Sequence, residues 1–287
     1  MFKQPDGSGV RRCTLSGHRS NKRDEMGIIV SVVNNKGGCG KSTTTYNLAD
    51  ALGRRDRRVL VIDMDPQCNT TSILFPKDRS MESSVYQLLD SETPRGNIDR
   101  CIYPTVCSDV SIIPNIPETG GLEPSVISLA PRSFFRLRES LRSHLIHRFD
   151  AIFIDNPPNM GAFVRCSLYA SDFAIVPIKA GSTFSIEGLI RATRLIEEIR
   201  EEGNPGLRFL RLLVNAVDNR TAICRALINQ IRDTFDGDQI FKTEIPINTS
   251  FEKAESMRET IFQYDHNAKG TMAFQDLAEE FISIVEK

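Results

Sequence analysis

The feature that most restricts the fold of this chain is a set of short runs that are apolar almost throughout. "IIVSVV" (28–33), "RVLVID" (58–63), "VSIIP" (110–114), "DAIFID" (150–155), "FAIVPI" (173–178), "FLRLLV" (209–214) and "IFKTEI" (240–245) read as strands. Most lack the polar alternation of a half-exposed sheet, as expected when helices cover both faces of a parallel one. Helical patterns fall between them at 42–52, closed by Gly53, and at 83–90, 132–148, 160–170, 185–201, 221–234 and 271–286. This alternation predicts an α/β, doubly wound, mostly parallel sheet of about seven or eight strands with right-handed crossovers. A chain of 287 residues with 40% apolar content can bury the core such a sheet needs. No repeat or linker is visible after Met26, so 26–287 reads as a single domain. Residues 1–25 mix Gly, Ser, Arg and Lys without periodicity and read as a disordered basic arm.

Charge is nearly balanced, 36 Lys+Arg against 37 Asp+Glu, so any nucleic-acid binding must come from a local basic patch. No apolar run approaches the ~20 residues that span a bilayer, and the polar start is not a secretory signal. The 7 cysteines are scattered with no C-x-x-C pair, which argues for reduced thiols in a cytosolic protein. His144 and His147, three apart on a helical pattern, read as surface residues.

The chemistry concentrates in "VVNNKGGCGKSTTTYNLADAL" (32–52), an apolar strand, a glycine-rich turn and a helix. Gly37, Gly38 and Gly40 can adopt backbone angles that turn successive N–H groups inward as an anion nest. In a P-loop of this kind Lys41 reaches the β- and γ-phosphates and the Ser42 hydroxyl sits on Mg²⁺. The helix beginning near Ser42 adds its positive end behind them. Asn35 stands where a standard P-loop has its first glycine, and a second lysine, Lys36, follows it.

"KGGCGKST" has the pattern of the deviant Walker A loop, and the chain resembles the ParA/MinD group of P-loop ATPases. The resemblance implies that Lys36 leaves its own loop and contacts phosphates bound by a second subunit, so that ATP and Mg²⁺ create a homodimer. It also implies nucleotide contacts along Lys36, Gly37, Gly38, Cys39, Gly40, Lys41, Ser42 and Thr43, with Lys36, Lys41 and Asp65 as the catalytic groups. "VLVIDMDPQCNTTS" ends in a D-x-D-P-Q pattern similar to the ParA branch; by that likeness Asp65 orients the attacking water and Asp63 helps order the metal region. Asp155, ending "FDAIFID", resembles a Walker B carboxylate that holds Mg²⁺ through a water, before Pro157 and Pro158 stop the strand. Asn215 in "LLVNAVDNRT" and Pro246 in "EIPINTSFEKAES" match family positions beside the adenine base. With the carboxyl-terminal stretch 261–281, the likeness covers about residues 27–286.

Members of this group bind DNA without sequence preference as ATP dimers, and a partner of the ParB type or a cargo adaptor stimulates hydrolysis. The expectation is therefore a cytoplasmic, nucleoid-associated ATPase, slow alone, that segregates or positions DNA or another large cargo. Arg220 matches a DNA-contacting arginine, while a second such arginine falls on Ser250. Lys253, Arg258 and Lys242, the arm's Arg11, Arg12, Arg19, Lys22 and Arg23, and the arginines of 132–148 are further candidates. Each reads equally as a solvated surface charge. Two rival readings share the loop. A MinD-like membrane ATPase needs a basic amphipathic carboxyl-terminal helix, whereas "AFQDLAEEFISIVEK" is acidic on its polar side. An iron-sulfur reductase or scaffold needs ligating cysteines, for which Cys101, Cys107 and Cys166 are the available residues.

Overall fold

Each of the apolar runs but one becomes a strand of a single sheet. The computed structural model describes residues 26–90, 98–181 and 185–286; the basic arm expected over 1–25, with its five DNA candidates, lies outside them. The strands are β1 (Ile28–Val32), β2 (Val59–Asp63), β3 (Tyr103–Pro104), β4 (Val110–Ile113), β5 (Ala151–Asp155), β6 (Phe173–Lys179) and β7 (Arg208–Asn215). They form a 7-stranded sheet in the order β3-β4-β2-β5-β1-β6-β7. All neighbours are parallel except β3, which pairs antiparallel with β4.

The helices are α1 (Lys41–Gly53), α2 (Asn69–Leu74), α3 (Val85–Leu89), α4 (Glu123–Ser128), α5 (Arg132–His144) and α6 (Ala162–Ala170). Beyond them lie α7 (Ser185–Glu202), α8 (Ala222–Thr234), α9 (Thr249–Met257), α10 (Ile261–Tyr264) and α11 (Lys269–Val285). Because strand side chains alternate, each all-apolar run feeds two cores. Val30, Val32, Val61 and Phe153 pack with α1, α10 and α11, whereas Ile29, Ile62, Ile152 and Ile154 pack with α5 and α6. A third cluster joins β6 and β7 to α7 and α8.

Several expectations are corrected. Gly53 does not close the first helix but lies inside it, and the chain turns back through Asp56 at φ 57°. Its lack of a side chain serves close approach instead: a Cβ there would stand 2.1 Å from the Ser108 carbonyl oxygen. The helix read at 132–148 stops at His144, and the one read at 83–90 spans only Val85–Leu89, started by a Ser84–Gln87 capping box. The helices α9 and α10 emerge where only a family likeness was noted, capped by Asn248 and by Thr260 with Gln263.

The run 240–245 is not a strand. It follows β7 in parallel, but only isolated bridges form, Leu212 with Ile240 and Val217 with Pro246. Between them the backbone N–H groups of Lys242 and Thr243 donate to the Glu280 carboxylate, at 2.7 and 2.9 Å, and the Thr243 hydroxyl donates to it at 2.8 Å. A side chain of α11 thus takes the Thr243 donor that a regular strand would have turned to β7, together with the Lys242 donor that would point to the opposite edge. Glu280→Ala should therefore lower stability by about 0.5–1.5 kcal/mol, the net worth of a partly exposed hydrogen bond. Urea unfolding checks this, with nucleotide affinity expected to be unchanged.

Candidate active site

Parallel strands place all their carboxyl ends on one edge, and the site is built there. Asp155 ends β5 in register with Val32 of β1 on one side and Asp63 of β2 on the other. The glycine-rich loop thus leaves the sheet beside one buried carboxylate and one strand away from a second.

The loop is fixed at both ends. Asn34 donates through Nδ2 to the Pro177 carbonyl at 2.8 Å and accepts the Lys36 N–H on Oδ1 at 3.0 Å. The Lys36 carbonyl accepts from Lys41 Nζ at 3.1 Å and from the Cys39 thiol at 3.2 Å. The two lysines are therefore linked through backbone: the buried ammonium of Lys41 rests on the carbonyl of Lys36, which is itself half-buried. Gly38 and Gly40 have φ of 70° and 90°, the left-handed region that side chains disfavour. A Cβ on Gly40 would also stand 2.6 Å from Asn215 Nδ2, while one on Gly37 or Gly38 would meet nothing within 4 Å. These two glycines leave open space over exposed backbone, as a phosphate cradle requires. Burial pushes the Cys39 thiol above its usual range, and the Lys41 charge opposes this. Ser42 and Thr43 begin α1 half-buried.

Asn215 reaches the same loop from the end of β7. Its Nδ2 donates to the Cys39 carbonyl at 2.9 Å and to Thr44 Oγ1 at 3.2 Å, and its Oδ1 is buried without a partner among the described residues. The amide nitrogen is thus a brace for the loop, and the oxygen is a buried acceptor with no partner among the described residues. Pro246 lies next to this turn through its bridge to Val217.

The carboxylates divide their work. Asp63 is fully committed: Oδ1 accepts the Asp65 N–H, and Oδ2 accepts both the N–H and the hydroxyl of Thr71. It orders the Asp65–Thr71 loop, with both oxygens engaged. Asp155 accepts the Thr70 hydroxyl on Oδ2 at 2.7 Å, while Oδ1 is buried and unpartnered among the described residues. Burial raises both carboxyls, and Asp63 is raised further by Asp155. Hydrogen bonds from Thr71 and the Asp65 N–H pull Asp63 back down, and the hydroxyls of Thr70 and Ser42 with the Lys41 charge do the same for Asp155. A buried carboxylate with one oxygen unmet, beside a serine hydroxyl and below a glycine cradle, fits a hydrated divalent cation on a triphosphate. Asp65, 6% exposed, accepts the Gln67 N–H at 3.0 Å and so shapes its own turn.

Thr70, Thr71 and Asn34 were missed from sequence. The adjacent hydroxyls of "NTTS" immediately after D-x-D-P-Q were the available signal, since two donors there can serve two strand-end carboxylates.

The DNA candidates are not brought into this constellation. Arg220 is 87% exposed and forms a double contact with Asp218, Nε to Oδ1 at 2.8 Å and Nη2 to Oδ2 at 2.9 Å, which holds the Asp218 carboxyl at about 2. Lys253 and Arg258 are exposed on and just after α9; Ser250 lies in its first turn, its N–H held by Asn248. The arginines of α5 are mostly not a free basic face. Arg136 donates to the Asp90 carbonyl, Arg138 to Tyr169 and Asn204, and Arg142 to Ala170 and Asp172, pinning α5 to its neighbours. Cys101, Cys107 and Cys166 are all buried, and no described helix is long and apolar enough to cross a membrane.

A family model described as an AAA domain matches residues 27–209. The chain is 34% identical to the chromosome-partitioning ATPase Soj of Thermus thermophilus, over 90% of this chain and 96% of that one. It is 32% identical to the chromosome partitioning protein ParA of Myxococcus xanthus, over 90% and 88%. A solved cobyrinic acid a,c-diamide synthase from Mycobacterium smegmatis, with ADP and magnesium bound, superposes with a TM-score of 0.77 at 24% identity, over 91% of this chain and 96% of that one. At that identity the superposition shows a shared fold only. With the deviant loop at Lys36, the D-x-D-P-Q turn and the strand-end Asp155 in one place, the chain belongs to the ParA/Soj family of deviant Walker A P-loop ATPases.

Proposed function

We propose that this protein is an ATPase that closes as an ATP-loaded homodimer, binds DNA without sequence preference, and segregates or positions DNA or another large cargo on the nucleoid. The observation that carries the reading is the division of labour between the two lysines. Lys41 is buried inside the loop with its ammonium on a loop carbonyl, whereas Lys36 has its backbone tied on both sides and stays at the half-open rim. A second cation at that rim suits a phosphate held by another subunit.

In this reading Gly37, Gly38, Cys39, Gly40, Ser42 and Thr43 surround the phosphates, and Lys41 exchanges the Lys36 carbonyl for a phosphate oxygen. The Asn215 Oδ1 acceptor and Pro246 meet the adenine. Mg²⁺, when bound, neutralises phosphate charge, and Ser42 and Asp155 are the residues that would hold it, Asp155 through water. Asp65 orients the attacking water at the γ-phosphate, and Lys36 from the partner completes the charge stabilisation. Turnover by the protein alone is slow, and a ParB-like or adaptor protein accelerates it. Arg220 engages DNA phosphate by giving up Asp218, with Lys253 and Arg258 as further candidate contacts; two protomers together multiply the phosphates engaged.

Lys36→Gln should bind ATP as a monomer yet form no ATP-dependent dimer in light scattering; dimers at wild-type concentrations would remove Lys36 from this role. Asp65→Ala should hold an ATP dimer on DNA for much longer than the wild type, with hydrolysis reduced by about 10²-fold or more, the scale of losing a positioned catalytic group. For DNA, Arg220→Glu should weaken binding and lower the slope of log affinity against log salt by about one for each phosphate no longer neutralised. Asp218→Asn should strengthen binding by freeing the same arginine.

A further inference from the structure

Among the described residues, the stem of the loop approaches α7 closely at Gly188, which has no side chain. A Cβ placed on Gly188 would stand 2.8 Å from Asn34 Oδ1 and 2.8 Å from Asn35 Oδ1, closer than a carbon and an oxygen can come. Gly188 is buried in the fourth position of α7. The Asn35 amide could swing away from an added methyl group, but the Asn34 amide could not move without loss. Its nitrogen is anchored on the Pro177 carbonyl at the end of β6, and its oxygen holds the Lys36 N–H. That last bond closes a two-residue turn of the kind asparagine side chains favour, and it fixes where the backbone of Lys36 begins.

We infer that Asn34 and Gly188 are positioning residues for Lys36: the Asn34 amide sets the direction in which that lysine leaves the loop, and α7 holds the amide in place through the bare surface of Gly188. The inference rests on the reading in which Lys36 serves a second subunit. Asn34 meets the loop at the Lys36 N–H, whereas the Cys39 carbonyl beyond the glycines is held separately by Asn215, so displacing the Asn34 amide acts first on Lys36 and less on the glycine cradle. The consequence is a separation of two properties that a general loss of structure would carry down together.

The experiment compares Gly188→Ala and Asn34→Ala with Gly203→Ala, which adds the same methyl group just beyond the other end of α7. There a Cβ would meet Tyr169 and Phe135 ring atoms at 2.9 and 3.0 Å, far along the helix from the loop. ADP affinity of the monomer, ATP-dependent dimerisation by sedimentation, and the urea midpoint are measured for each. Gly188→Ala and Asn34→Ala should raise the protein concentration for half-dimerisation by about tenfold, in the range of site-to-site couplings, while ADP affinity falls by much less than that. The double variant should be no worse than the poorer single one, because both act on one amide. Gly203→Ala should lower only the urea midpoint. Wild-type dimerisation in both loop variants, strictly additive effects, or losses of ADP affinity and dimerisation in proportion would overturn the inference. Should Gly188→Ala not fold, Asn34→Ala decides alone by the same split. Lys36→Gln is run alongside: if it dimerises as the wild type does, the trans role of Lys36 fails and the inference with it. If it does not, a null result at Asn34 and Gly188 overturns the inference alone.

Discussion

Two carboxylates that finish neighbouring strands, both fully buried, set the terms for everything around them. Charges so close in a dry setting cannot both be carried without compensation. Asp63 is surrounded by donors until none of its oxygens is left over, and Asp155 keeps one oxygen unmet and the nearer lysine. The first arrangement builds a loop, and the second leaves a place for a cation. The threonine pair serves both, so the turn carrying Asp65 cannot move independently of the carboxylate at the metal position.

The glycine loop is held by similar economy. Its shape depends on two amides, Asn34 at its own stem, anchored on the distant Pro177 carbonyl, and Asn215 from the last strand. Each of those amides has one atom tied to the loop's backbone. A nucleotide would therefore meet a surface already shaped, which limits the ordering entropy lost on binding. The cost falls on sequence freedom: Gly40 must be bare to admit Asn215, and Gly188 must be bare to admit Asn34.

Much of this was legible in the sequence. Strand positions followed from runs such as "VLVID" and "AIFID", which are rich in β-branched residues and too short for an ordinary buried helix. Lys36, Lys41, Asp65 and Asp155 carried local motifs. What could not be read were interactions between segments far apart in sequence. Nothing local marks Glu280 as the acceptor that undoes the strand at 240–245, although the polar centre Lys242-Thr243-Glu244 sets that run apart from the others. The arginines of α5 looked like a wet basic face by spacing, but Arg136, Arg138 and Arg142 bond carbonyls and side chains from Asp90 to Asn204. The contact of Arg220 with Asp218 is the local exception, both residues standing within "DNRT".

The diversion of Lys242 and Thr243 to Glu280 has a further effect at the margin of the molecule. An open sheet presents a row of unpaired amides to any other extended chain it meets, and long flat margins invite unwanted growth from one molecule to the next. Here one margin is covered by a segment whose own amides are partly capped by a carboxylate. The opposite margin is a strand of two residues ending in Pro104. Among the described residues, strand addition at either margin is thereby discouraged.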